Sequence, residues 1–426
     1  MFIFYDLIYL IFIIFYLSVS LLKGKRYPGI KLRLGILPKG VLLDGPVWIH
    51  AVSVGEAMAV RQLLEALRKV YPKKNFVIST VTPTGNKIAK TLAGPQDFVT
   101  YLPMDLGFIV HKVISRVRPS LFIIVETEVW PNLISCLHRK KIPIAVVNGR
   151  ISDSSFKGYS RIKLLIRMVL RKVDLFCVQT ERDKDRLISL GVDRGNIQAT
   201  GNMKFDNLIF DEEKVTGSVD KYRHLLGITK DEKLLLAGST HPGEEEIILN
   251  TYKNLLGDFP DLRLLIAPRH PERSAQIAGL IEKYGFEPER ISLLEDESET
   301  RLGKKMVFVL DTIGQLIYFY ALADIVFVGG SLTKKGGQNI LEPTSLGKPV
   351  ICGPHMFNFR DIADLFISKD AILLARDQEE LSLRISSLLK DPSLVSALAG
   401  KAKAIISKNR GATAKNLDFI TKSITI

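Results

Sequence analysis

Leu121-Phe122-Ile123-Ile124-Val125-Glu126-Thr127-Glu128-Val129-Trp130-Pro131-Asn132 is the stretch from which the fold is read. Five consecutive apolar side chains leave no polar face, and two carboxylates follow at once. A strand covered on one face alternates; an unbroken apolar run marks a strand covered on both, as in a parallel sheet between helices. Runs of this kind recur at 47–52, 76–80, 144–147 and 175–178, then at 234–237, 262–267, 306–310, 325–328 and 350–352. Helical patterns separate them. Strand, helix, strand in repetition implies an α/β chain with two Rossmann-like, doubly wound parallel sheets. Residues 210–233 are rich in charge and poor in apolar pattern, and read as the linker region. The expected division is 1–22, 23–215 and 216–426. Two such domains facing one another leave a cleft, lined by the loops beyond the carboxyl ends of the strands.

The 426-residue chain is 46% apolar and 24% charged, enough to bury two cores. Its formal net charge of +14 suits anionic partners. No Lys/Arg tract with interleaved aromatics occurs, so nucleic acid is the weakest of these and is not expected. Cys136, Cys177 and Cys352 are odd in number and widely spaced, which gives neither a disulfide framework nor a cysteine zinc site. Gly-x-Gly, the P-loop pattern and HExxH are absent, against a dehydrogenase, a P-loop kinase and a metalloprotease.

Residues 2–22 are almost wholly apolar, with Asp6 the one charge, and Lys23, Lys25 and Arg26 follow. That length suits one transmembrane helix, and the basic flank places the rest of the chain in the cytoplasm. A cleavable signal peptide fits less well, since no basic residue precedes the apolar run. Residues 157–172 carry six basic residues among apolar ones at helical spacing; this segment either rests against a membrane surface or is a solvated basic helix.

Candidate chemistry gathers where apolar runs end. Val52-Ser53-Val54-Gly55-Glu56 opens a helix, where Glu56 is either a general base or a carboxylate complementing the helix dipole. Glu126 and Glu128 face a cleft or meet basic partners, with Arg150 one such partner. Lys204, in Gly201-Asn202-Met203-Lys204-Phe205-Asp206, neutralises a phosphate or is ordinary surface. Gly238-Ser239-Thr240-His241 reads as an anion cradle ahead of an acidic helix. Arg269 and His270 end another run; Arg269 suits phosphate or carboxylate. Ile313, Gly314 and Gln315 open a further helix. Gly329-Gly330-Ser331 and Gly336-Gly337-Gln338-Asn339-Ile340-Leu341-Glu342-Pro343 let backbone approach a phosphate, with Glu342 placed to accept ribose hydroxyls. Asp183-Lys184-Asp185 has the form of a metal-binding DxD but reads better as an acidic first helical turn.

As one ordered set these motifs resemble the 3-deoxy-D-manno-octulosonic acid (Kdo) transferase family. The set runs from His50-Ala51-Val52-Ser53-Val54-Gly55-Glu56 through Glu126–Asn132, Gly201–Asp206 and Pro268-Arg269-His270-Pro271-Glu272-Arg273. It continues with Phe327-Val328-Gly329-Gly330-Ser331-Leu332, Asn339-Ile340-Leu341-Glu342 and Gly353-Pro354-His355. The resemblance implies a GT-B-type fold, CMP-Kdo as donor, a lipid A precursor as acceptor, and the cytoplasmic face of the bacterial inner membrane. By the same resemblance Glu56 is the general base, and Glu126 and Lys204 stabilise the transition state. Arg269, His270, Ile313–Gln315 and Asn339–Glu342 would hold CMP. Where this chain has Gln315 the family usually has an acidic residue; an amide hydrogen-bonds without supplying charge.

The implied reaction is a single inverting displacement with no cofactor and no metal. Rivals are another GT-B lipid glycosyltransferase with a UDP-sugar donor, a non-catalytic membrane-anchored nucleotide-binding protein, and a sugar-nucleotide epimerase. Competition between CMP and UDP separates the first; absence of product marks the second. The third needs no lipid acceptor.

Overall fold

The computed structural model describes residues 3–22, 28–38, 43, 45–208, 211–294 and 306–426, and in it the apolar runs become two parallel sheets. The first contains β1 (Val47–His50), β2 (Phe76–Thr80), β3 (Phe98–Tyr101), β4 (Leu121–Val125), β5 (Ile144–Gly149), β6 (Leu175–Val178) and β7 (Ile197–Ala199), in the order β3-β2-β1-β4-β5-β6-β7. The second contains β8 (Lys233–Thr240), β9 (Leu262–Pro268), β10 (Glu287–Arg290), β11 (Met306–Val309), β12 (Ile325–Val328), β13 (Val350–Cys352) and β14 (Leu373–Leu374), in the order β10-β11-β9-β8-β12-β13-β14. Every pairing is parallel, as βαβ crossovers require.

The ten apolar runs are the ten interior strands. The four strands they do not include, β3, β7, β10 and β14, are the four sheet edges. An edge strand has one neighbour and thinner cover, so it need not be apolar throughout; β10 is Glu-Pro-Glu-Arg and has no buried residue. Apolar side chains fill both faces of the first sheet. Trp48, Phe122, Ile124 and Phe176 lie on one, Ile49, Phe76, Ile123 and Leu175 on the other.

Two compact units result: residues 1–207 with 409–426, and residues 208–408. The junction falls earlier than the 215/216 division expected from composition, and the chain's end returns to the first unit. It returns because Ala412, Ile420 and Ile424 complete the core on the second face of the first sheet. Asp206 accepts from the Thr413 amide at 2.5 Å and the Gly411 amide at 2.6 Å, fixing the start of the Ala412–Ser423 helix. The expected linker is also more ordered than its composition suggests. It holds helices Glu212–Gly217 and Val219–Leu225, with Val215, Leu226 and Ile228 buried; Phe210 lies outside the described residues.

The N-terminal apolar segment is a helix, Ile3–Leu22. Among the described residues, however, no helix is long and apolar enough to cross a membrane. One side of its first half is occupied by protein. Asp6 accepts from the Asn132 side-chain amide at 2.6 Å and the Gly107 amide at 3.3 Å, and Tyr9 and Ile13 pack against the first unit's core. The opposite side leaves Phe4, Leu7, Ile8, Ile11, Phe12, Ile14 and Phe15 exposed. The first half of this helix thus has one side docked on the domain and the other side open. Lys23, Lys25 and Arg26, on which its orientation was read, lie outside the described residues.

Candidate active site

Strand order reverses between β1 and β4 in the first sheet, and between β8 and β12 in the second. Loops leaving adjacent strands diverge there and open a crevice at the carboxyl ends. The residues singled out in the sequence gather at these two points.

In the first unit, β1 runs into the Val54–Ala59 helix through Ser53, which caps it. Glu56 reaches back over this cap. One carboxylate oxygen accepts from the Val52 amide at 2.8 Å and the other from the Ser53 hydroxyl at 3.1 Å. These bonds fix the rotamer at the helix start, where a carboxylate also complements the dipole. They do not account for its electrostatics. Burial, then the charge of Glu126 and more weakly that of Glu128, push the Glu56 carboxyl up to about 7, against the two hydrogen bonds. A carboxylate poised near neutrality suits a general base.

Glu126 follows β4 with φ 59°, a left-handed conformation that a side chain rarely adopts. Its amide still donates to the Val147 carbonyl at 2.9 Å, so the turn is pinned to β5 while its carboxylate projects away from the sheet end. There it meets the Lys204 ammonium at 3.3 Å, both side chains about four-fifths buried. Lys204 is held by Asn148 at the end of β5, whose side-chain oxygen accepts from the Met203 amide at 2.9 Å. Asn148 is also left-handed, at φ 53°. Behind it, Asn416 of the C-terminal helix donates to Thr200 at 2.9 Å and accepts from the Asn148 amide.

Glu56, Glu126, Thr127, Glu128, Arg150, Ser152 and Ser155 line one open recess of about 260 Å³. Burial, chiefly, and Glu126 also raise the Glu128 carboxyl above its usual range. Glu56 and Glu126 share this recess, and Lys204 joins Glu126 through the ion pair. Ser152 and Ser155 were not anticipated: they belong to the start of the Asp153–Arg161 helix, and only its Ser-Asp-Ser-Ser start signalled them. His50 is structural. It is fully buried, bonded to Ser79 at 3.0 Å, and burial pushes its imidazole down to about 4. Asp183 is likewise committed, to a capping box with Thr180 and to the Ile151 amide at 2.8 Å.

In the second unit the loops after β11, β9, β8 and β12 lie side by side. Gln338 bonds His241 at 3.2 Å, and the His241 and His270 rings meet edge to face with centroids 6.0 Å apart. Burial, then His270, hold the His241 imidazole below its ordinary pKa. Arg269 and His270 are exposed, and the Arg269 amide donates to the Thr240 carbonyl. Ile313 is 87% exposed beside Gly314 at φ 86°. The Gln315 carbonyl accepts from the Thr312 hydroxyl at 2.7 Å, so this side chain closes its own turn without charge. Asn339 donates to Glu342 at 3.0 Å and accepts from the Leu341 amide at 3.0 Å. Burial raises the Glu342 carboxyl. Ile340 and Leu341 have buried side chains, so they can offer a ligand only backbone.

The glycine-rich segments depart from their sequence reading. The amides of Gly330 and Ser331 point at Glu244, at 2.6 and 2.9 Å, and so does the His241 amide at 2.9 Å. The anion in the expected cradle is the protein's own carboxylate. Gly337 permits another close approach within the chain: a Cβ there would sit 2.2 Å from the Met356 sulfur.

Residues 28–207 match the family model described as 3-deoxy-D-manno-octulosonic-acid transferase (kdotransferase), and residues 248–420 match glycosyl transferases group 1. A 3-deoxy-D-manno-octulosonic acid transferase of Haemophilus influenzae is 36% identical over 88% of this chain and 86% of that protein. The chain belongs to the Kdo transferase family. A Bordetella pertussis relative of the same name is 31% identical over 89% of this chain and 87% of its own. Among solved structures, a Rickettsia africae glycosyltransferase aligns with a TM-score of 0.57 at 14% identity, over 90% of this chain and 99% of that one. The UDP-GlcNAc 2-epimerase of Neisseria meningitidis gives 0.56 at 14% identity, over 85% and 99%. These likenesses show the fold, two Rossmann-like domains of GT-B type.

Proposed function

We propose that this Kdo transferase family member moves Kdo from CMP-Kdo to a hydroxyl of a lipid A precursor, lipid IVA, in lipopolysaccharide synthesis. The observation that carries this reading is the meeting, in one recess, of a Glu56 carboxylate held near neutrality with Glu126, which is itself ion-paired to Lys204. The names of the relatives support the sugar.

Glu56 takes the proton of the acceptor hydroxyl. The hydroxyl oxygen forms its bond to the anomeric carbon as the bond from that carbon to the CMP phosphate oxygen breaks, and the electron pair leaves with CMP. One displacement inverts the configuration. Lys204, steadied by Glu126, offsets negative charge gathering on the donor side of that transition state. Arg269, His270, the Ile313–Gln315 turn and Asn339–Glu342 hold CMP, with the half-buried Glu342 accepting from ribose. No metal is assigned a step, and the reaction needs no cofactor.

The acceptor is a lipid, and exposed apolar surface supports work at the cytoplasmic face of the inner membrane. Besides the outer side of the Ile3–Leu22 helix, Ile162, Leu164, Leu165 and Met168 are exposed among Lys163 and Arg167. Basic and apolar residues together favour an anionic lipid surface. Incubation with CMP-Kdo and a tetra-acylated precursor, without added metal, is the test. Lipid product gaining one or more Kdo masses supports the reading; CMP-binding protein that yields none contradicts it.

A further inference from the structure

Glu244 has no role in the reaction as drawn, yet it is the most heavily bonded carboxylate among the described residues. Its side chain is fully buried. One oxygen accepts from the His241 amide at 2.9 Å and the Gly330 amide at 2.6 Å. The other accepts from Ser331 and Leu332, both at 2.9 Å, and Thr333 at 3.4 Å. Successive backbone amides converging on one anion form the nest that phosphate-binding loops turn toward a ligand. Here the nest is turned inward, and its contents tie the loop after β8 to the loop after β12 across the point where strand order reverses.

The Gln338–Glu342 side of the candidate donor site hangs from that loop. The Gly330 carbonyl accepts from the Gly337 amide at 2.7 Å, which begins the turn carrying Gln338, Asn339 and Glu342. The Ser331 carbonyl accepts from the His355 amide at 2.9 Å, and its hydroxyl from the Gly353 amide at 2.8 Å. Gln338 closes the circuit back onto His241. Charge-assisted bonds of this kind are stronger than neutral ones, and a buried acceptor removed from five donors leaves those donors unpaired.

We infer that Glu244 is a positioning residue for the donor: it latches the Gly330–Thr333 loop, and through it the His241 and Gln338–Glu342 side of the CMP-sugar pocket. This rests on the reading that the second unit holds the donor. The latch lies away from Glu56 in sequence and in unit, so its loss weakens donor binding and leaves the chemical step in place.

Calorimetric titration of CMP into the full-length detergent-solubilised protein tests both claims in order. Wild-type protein that releases no heat with CMP overturns the donor reading itself. Given wild-type binding, Glu244→Gln, which puts an amide NH₂ among N–H donors, weakens CMP by at least about tenfold. The donor KM rises alike, while kcat at saturating donor and the acceptor KM stay within about twofold. Leu249→Ala, a core truncation on the same Glu244–Leu255 helix, is the stability control: it lowers Tm and leaves CMP affinity alone. Glu244→Asp recovers part of the affinity. Should Glu244→Gln not fold, Gly330→Ala disturbs the loop from its other side, because a Cβ there meets His241 at 3.1 Å with φ at +68°. Native CMP affinity in Glu244→Gln, or in its stead in Gly330→Ala, overturns the latch.

Discussion

Glu56 carries the largest electrostatic asymmetry of the first unit's recess, and its behaviour with pH follows from the causes of that asymmetry. A general base works ionised, so kcat/KM rises with pH along an acid limb of apparent pKa about 7. Glu126 is the strongest charge pushing that value up. Glu126→Gln therefore moves the limb to lower pH in whatever activity survives; an unmoved limb assigns the titration to another group. The same shift has a stability sign. A carboxyl whose folded pKa lies above its unfolded one costs stability as pH rises through the folded value. Glu56→Gln removes that cost, so its Tm relative to wild type improves between pH 5 and pH 8, although turnover falls by about 10² to 10⁴. A Tm difference flat across that range would show that Glu56 is not raised in the folded protein.

At the scale of elements, the interior strands were legible because burial on both faces forces an unbroken apolar run, and the edges were not because nothing forces one there. β4 announces itself as Leu-Phe-Ile-Ile-Val; β10, Glu-Pro-Glu-Arg, cannot. The carboxylates after β1 and β4 were legible for a related reason, since charge directly after a buried strand has few places to go. Contacts between distant segments left no local mark. The start of the Glu244–Leu255 helix read only as acidic, and only the fold shows Glu244 turned inward. Asn416 is another such contact, 216 residues from its partner Thr200. Replacing it with Ala strands polar groups beneath the Asn148–Met203 turn. That change costs about 1–3 kcal/mol in denaturant unfolding, and it lowers kcat through Lys204 while CMP affinity holds. Unchanged stability would mean that the C-terminal helix does not buttress the turn. The apolar N-terminal helix was recognised as apolar and helical, but its docking through Asp6 was not, because Asn132 and Gly107 lie more than a hundred residues away. Asp6→Ala accordingly raises hydrogen exchange at the start of the Pro131–Arg139 helix; protection equal to wild type would leave the docking without energetic weight.

The whole molecule repeats one arrangement twice. Each parallel sheet reverses strand order beside its first strand, and the two reversals gather different chemistry: carboxylates and a lysine in the first unit, histidines, an arginine and the inward-turned Glu244 in the second. The formal charge of +14 suits a donor bearing a carboxylate and a phosphodiester and an acceptor bearing phosphates. The most direct test of the central claim, Kdo transfer with Glu56 as base, is the mass of the lipid after incubation of wild-type and Glu56→Gln protein with CMP-Kdo and a tetra-acylated lipid A precursor. The account predicts one or more Kdo units added by the wild type, and at least about a hundredfold less product in the same time from a folded Glu56→Gln protein that still binds CMP. Product from Glu56→Gln at the wild-type rate, or none from wild-type protein that binds CMP, would contradict it.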